Sequence, residues 1–205
     1  MADNGITMTE VFAEGVDNDG YPRIRIPSIV CTKSGTLLAF AEGRQAGDHS
    51  ENDIILKRSA DQGRSWGKLQ VIDEYGTDCL NNPQAVVLDS GRILLVYQRF
   101  PHDRHARPIG AEIGVTLPGH SGEGVQVSYI THSDDDGETW SAPRDITSQV
   151  KRLEPIVSIA GGPGVGIVLR RGEHKGRILM PFNEKWYKGT EGMFEVYAAH
   201  SDDGG

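Results

Sequence analysis

An all-β fold is predicted for this 205-residue chain by three observations: a pattern recurring at long intervals, short β-rich runs between turn clusters, and the lack of any helical stripe. Ser59-Ala60-Asp61-Gln62-Gly63-Arg64-Ser65-Trp66 recurs as Ser133-Asp134-Asp135-Asp136-Gly137-Glu138-Thr139-Trp140. Ser201-Asp202-Asp203-Gly204-Gly205 begins the pattern again, so S-x-D-x-G-x-[ST]-W returns at intervals of 74 and 68 residues. Self-similarity at such a period marks radially stacked β units, and the chain reads as part of a β-propeller. Nowhere does an apolar stripe of period 3.6 hold for three turns.

The elements follow in order. Blade one is expected as strands 24–30, 36–42 and 54–58, the first repeat as a turn, and 70–72. Blade two is expected as 84–88, 92–98 and 125–132, the second repeat, and 144–146. Blade three would start around 156–169, continue with 177–181 and 195–200, and lack its last strand. Each repeat suits a hairpin turn: Asp and Ser/Thr side chains bond nearby N–H groups, Gly supplies a permissive φ, and Trp covers the apolar side. Asp61 and Asp135 are therefore read as structural. Ser34-Gly35-Thr36, Asp89-Ser90-Gly91 and Lys175-Gly176-Arg177 look like the turns that close the first two strands of each blade. Between Arg99 and Gly124 lies an insertion rich in Pro, His, Arg and Gly, long enough to be functional or mobile. The division expected is a lead-in over 1–20 and an incomplete propeller portion over 21–205, about two and a half to three blades.

Composition narrows the function. With 37% hydrophobic residues the chain can bury a core. A net charge of −8 gives no footprint for nucleic acid or an anionic membrane, so an anionic substrate must be met by local arginines. No apolar run approaches the roughly 18 residues of a membrane span. The start, Met1-Ala2-Asp3-Asn4-Gly5, has neither a basic n-region nor an apolar h-region, so no signal peptide is read and the location is left unknown, cytoplasmic by default. Cys31 and Cys79 lack CxxC spacing and read as small buried residues of a strand and a loop.

Chemistry concentrates near the start. In Tyr21-Pro22-Arg23-Ile24-Arg25-Ile26-Pro27, Arg25 points opposite to Ile24 and Ile26, so it is expected to face the central channel as a buried guanidinium needing a carboxylate from the protein or a ligand. Asp48 lies in a polar, Gly-containing loop, where a carboxyl stays partly exposed while closing over a substrate; a plain solvated aspartate is the alternative. Asp53 is a second candidate that also reads as a local cap or pair. Arg44 and Asn82 read either as ligand contacts or as turn structure, and Asn82 can donate and accept toward hydroxyls. His102 and His105 have metal-like spacing, but Arg99, Arg104 and Arg107 would repel a divalent cation, so no metal is assigned. Gly162-Pro163-Gly164-Val165-Gly166 is interrupted by Pro and followed by no helix, and is not a dinucleotide fingerprint.

These segments resemble the sialidase (neuraminidase) family. The repeat is similar to its Asp box, or BNR repeat, and Arg25-Ile26-Pro27 looks like the R-I-P motif carrying the first of three arginines that clamp the substrate carboxylate. Asp48, 23 residues after Arg25 and 11 before Ser59, matches the acid/base aspartate. Arg44 resembles the second pocket arginine near the sugar O4, and Asn82-Pro83 the N-P or D-P pair opening the next blade. Gly162–Gly166 is similar to a G-P-G-x-G-I segment at a later blade, while residues 182–187 depart from the family pattern at the place of the acyl or glycerol arms and receive no role.

The resemblance spans about 21–205 and implies the N-terminal portion of a six-bladed exo-sialidase. Its reaction would be retaining, with a tyrosine and a glutamate from later blades, and no cofactor. The implied partners are sialylated glycoproteins, glycolipids and oligosaccharides. Because the tyrosine, the glutamate and two arginines belong to later blades, these 205 residues alone are expected to be inactive. A non-catalytic glycan- or protein-binding propeller and a glycosidase for a related sugar acid are the alternatives.

Overall fold

The computed structural model describes residues 6–15 and 19–205. Positions 1–5, which carry the start of the no-leader reading, and 16–18 of the lead-in lie outside the described residues.

Strands run β1 Arg23–Cys31, β2 Leu37–Arg44, β3 Asn52–Ser59, β4 Gln70–Asp73, β5 Cys79–Val87, β6 Ile93–Phe100, β7 Arg104–His105, β8 Gly114–Val115, β9 Val127–Ser133, β10 Arg144–Asp145, β11 Ser158–Ala160, β12 Gly164–Val165, β13 Ile167–Val168, β14 Ile178–Lys188 and β15 Glu191–Ser201. One helical turn, α1, covers Thr147–Val150. Two antiparallel meanders, β1-β2-β3-β4 and β5-β6-β9-β10, precede a third in which β11 and β13 share one edge of β14 and β15 takes the other. Each S-x-D-x-G segment leaves the third strand of its meander, as expected. The insertion is ordered around a short parallel pair, β7 with β8.

Period-two alternation explains the packing. On β6, Ile93, Leu95 and Tyr97 join Leu38, Phe40, Ile54 and Leu56 in one core. Leu94 and Val96 join Ile130, Ile178, Met180 and Phe182 in the next. A strand buried on both faces must be apolar throughout, which is why Ile93–Tyr97 shows no polar alternation. The second repeat docks on the first meander: Trp140 meets Phe40 edge-on at 5.7 Å, Thr36 donates to Asp136 at 2.5 Å, and Arg58 Nε donates to the Asp136 carbonyl at 3.2 Å.

β2 and β3 fix the geometry of the site. Leu37 pairs with Ser59 at one end and Arg44 with Asn52 at the other, so the Asp-box turn and Arg44 stand roughly 24 Å apart along the strand. Behind Arg44, Tyr21 donates to Asp53 at 2.7 Å. A side chain at Gly43 would meet the Tyr21 ring at 2.8 Å, so only glycine fits between Glu42 and Arg44. The lead-in is tied to the same face by Asp19 with Lys57 at 2.6 Å and by Phe12 packed near Tyr21 and Ile55.

Three expectations are corrected. Cys31 is exposed, because beyond the bulge between Arg25 and Ser28 it falls with Ile29 on an open face of β1, and buried Cys79 opens a strand rather than sitting in a loop. β5 starts at Cys79, so Asn82 lies inside the strand at a register break between Asn81 and Gln84, not at its opening. Residues 182–187 continue β14 instead of following it.

Candidate active site

Glu42 organises the site. It is fully buried and faces the start of β5. One carboxylate oxygen accepts the backbone N–H of Asn82 at 2.6 Å. The other accepts Arg44 Nε–H at 2.7 Å and an Asn81 amide proton at 3.2 Å. Burial pushes the Glu42 carboxyl up, and the Arg44 guanidinium pulls against that shift. Asn82 holds φ 58°, a left-handed conformation that asparagine tolerates better than most residues, and the bond to Glu42 helps hold it there.

Arg44, itself buried, spans from Glu42 to Asp48 and pairs with both. Asp48 sits in a turn closed by Gln45 N–H to the Glu51 carbonyl at 3.0 Å, and its own carbonyl accepts from Asn52 and Asn81. Its carboxylate is about half exposed and also lies 3.7 Å from Arg107 of the insertion. Partial burial alone would raise the Asp48 carboxyl, but Arg44, with His105 and Arg107, holds it below the usual carboxylate range. Asp53, the other candidate, is taken up by Tyr21, 32 residues away in the chain, rather than by a local cap.

Two hollows meet at Arg44 and Asp48. One, about 180 Å³, is lined also by Glu42, Asn82, His105, Asn183 and Lys185. The other, about 370 Å³ and open, is lined by Arg23, Arg25, His49 and Arg107. Arg25 alternates with Ile24 as expected and, paired with Glu42, shares the face of Glu42 and Arg44, but it is exposed rather than buried. It makes no ion pair or hydrogen bond among the described residues. Arg44, Asp48 and Asn82 are thus brought to one cavity, and Arg25 to its neighbour. His102 and His105 diverge: His102 leans toward Asp78, while His105 stacks on Phe100 at 4.8 Å.

The BNR repeat-like domain family matches residues 35–205. The chain belongs to the sialidase family with BNR repeats. An exo-alpha-sialidase of Aspergillus fumigatus is 36% identical over 167 residues, which is 75% of this chain and 40% of that protein. A sialidase of Paraclostridium sordellii is 30% identical over 96% of this chain and 48% of its own length. The chain therefore spans less than half the length of these curated relatives. Among solved structures, the Hadza microbial sialidase Hz136 superposes with a TM-score of 0.75 at 24% identity, over 92% of this chain and 37% of that one. The leech intramolecular trans-sialidase does so with 0.75 at 17%, over 100% and 46%. At these identities the likeness shows the fold.

In this sialidase-family chain, sequence reading missed Glu42, Asn81, His105, Asn183 and Lys185. Glu42 had a signal in its spacing: a carboxylate two residues before an arginine on one strand shares its face. His105 had none, since its place depends on the fold of the insertion. Its ring is driven down to about 4 by burial, with Asp48 opposing and Arg107, His49 and Arg44 adding to the shift, so it is neutral at pH 7.

Proposed function

We propose that the protein serves exo-sialidase chemistry, hydrolysing terminal α-linked sialic acids with retention on a six-bladed propeller of which these residues form the first part. The observation that carries this reading is Asp48 held by Arg44 at the junction of two hollows, one bearing Asn82 and one cationic with Arg25. Arg25, exposed and in no ion pair among the described residues though within reach of the Glu14 charge, takes the substrate carboxylate in a charge-assisted pair. Arg44 and Asn82 address sugar hydroxyls. Asp48 gives its proton to the glycosidic oxygen as the aglycone leaves and recovers it from the water that resolves the glycosyl-enzyme. A substrate hydroxyl that engages Arg44 weakens its hold on Asp48, raising the carboxyl toward the range an acid needs. The tyrosine nucleophile, its glutamate and two further arginines come from positions outside the residues matched here.

The same ion pairing also favours a second reading, a glycan-binding module in which Asp48 only positions arginines. Release of a fluorogenic aglycone from an aryl sialoside by the full-length protein decides between them. Turnover supports the enzyme; tight sialic-acid binding with no turnover supports the module.

A further inference from the structure

Lys185 is a largely buried lysine whose ammonium keeps some contact with solvent and has no protein counter-charge among the described residues. Only 8% of the residue is exposed, yet its ammonium makes no ion pair and no hydrogen bond among the described residues. Its bed is built by strand register. Lys185 pairs with Phe194, and Tyr187 with Gly192, across β14 and β15. Because Gly192 has no side chain, the lysine tip lies over it, with the Gly192 Cβ position only 3.2 Å from Lys185 Cε. The ammonium is then flanked by the Tyr187 ring at 5.0 Å and the Phe194 ring at 4.9 Å. Tyr187 is itself fixed, donating to the Ala106 carbonyl of the insertion at 3.1 Å.

Ring faces soften the burial of a charge but accept no conventional hydrogen bond, so the ammonium donors have no protein acceptor among the described residues. A buried charge of this kind is satisfied by an opposite charge. The carboxylates of the same hollow are committed elsewhere, Glu42 to Arg44, Asn81 and Asn82, and Asp48 to Arg44. Lys185 and Arg25 line different hollows that share Arg44 and Asp48, so each hollow beside the candidate acid brings its own cation.

We propose that Lys185 is an oxyanion contact, selecting sugar acids that carry a second negative group, a sulfate or a further carboxylate, on the side away from the carboxylate bound by Arg25. The anion contact stands on the geometry of Lys185 alone; its placement on the same sugar rests on the function proposed above.

The test titrates the protein with N-acetylneuraminic acid, with its 8-O- and 9-O-sulfates, and with sodium sulfate alone. Calorimetry gives the affinities, and the ¹³C-dimethyl signal of Lys185, assigned by its loss in Lys185→Gln, reports the contact. A sulfated sugar is expected to bind about tenfold tighter than the parent, shifting the Lys185 signal, with the ratio near one in Lys185→Gln and recovered in Lys185→Arg. A Lys185 signal that answers neither a sulfated sugar nor sulfate, or a preference that survives in Lys185→Gln, overturns the proposal. If no sugar binds while sulfate alone moves the signal, the anion contact stands and the sialidase reading falls.

Discussion

Glu42 accepts the backbone N–H of Asn82 at 2.6 Å, across the seam between the first two meanders. A single buried carboxylate thereby sets the strained backbone of one candidate ligand contact and the guanidinium of another.

Glu42→Gln is therefore expected to destabilise the fold by about 1–3 kcal/mol, the scale for weakening buried hydrogen bonds to a charged group, since Asp48 still faces Arg44. Sialic-acid affinity should fall in the fraction that remains folded. Urea denaturation and calorimetry measure the two effects; an unchanged midpoint would show that Arg44 needs no buried counter-charge.

Asp48→Ala in the full-length protein should lower kcat on natural sialosides by roughly 10²–10⁴-fold. An aryl sialoside with a good leaving group should lose less, because its departing oxygen needs little protonation. Equal loss on both would remove Asp48 from the acid role.

The Asp-box carboxylates should matter for stability and not for the site. Asp61 and Asp135 are each held near 2, by bonds from Ser65 and Ser59 in the first box and from Thr139 and Ser133 in the second. Their contribution is present above the ordinary aspartate range and drains away as pH falls toward 2. Asp61→Ala is expected to lower the melting temperature by a few degrees with sialic-acid affinity retained. Asp135→Ala should cost more, since its turn carries Asp136 and Trp140 onto the first meander. Reversal of that order in a thermal melt would contradict the docking role of the second box.

His105 predicts a pH window. Its folded value of about 4 lies below the usual 6.5, so the unfolded chain binds the extra proton first. Stability is full above about 6.5 and declines as pH falls from there toward 4. His105→Gln should flatten melting temperature against pH in that window. A wild-type curve already flat between 6.5 and 4 would mean that the imidazole is not buried against Phe100.

Much of the fold was legible because strand pairing and repeat turns are local. The limits of β1 to β3 fall within a few residues of those expected, and the Ser59 and Ser133 turns lie at the ends of third strands. The candidate site was legible in its arginines and Asp48, which carry motif spacing. Three aspects were not legible. Exposure of Arg25 depends on what covers one face of β1. The place of Asn82 inside β5 depends on a register break. Lys185 and His105 enter the hollow only through pairing of β14 with β15 and through the path of the insertion.

The contact of Tyr21 with Gly43 bears on where this unit can be cut. A border drawn between 20 and 21 would sever Asp19 from Lys57 and strip the lead-in from a ring whose other side supports the strand bearing Glu42 and Arg44. Grafting or shuffling these meanders between proteins thus has to carry the preceding residues as part of the transferred cassette. Without them the recipient would inherit the repeat turns intact and the cavity out of true.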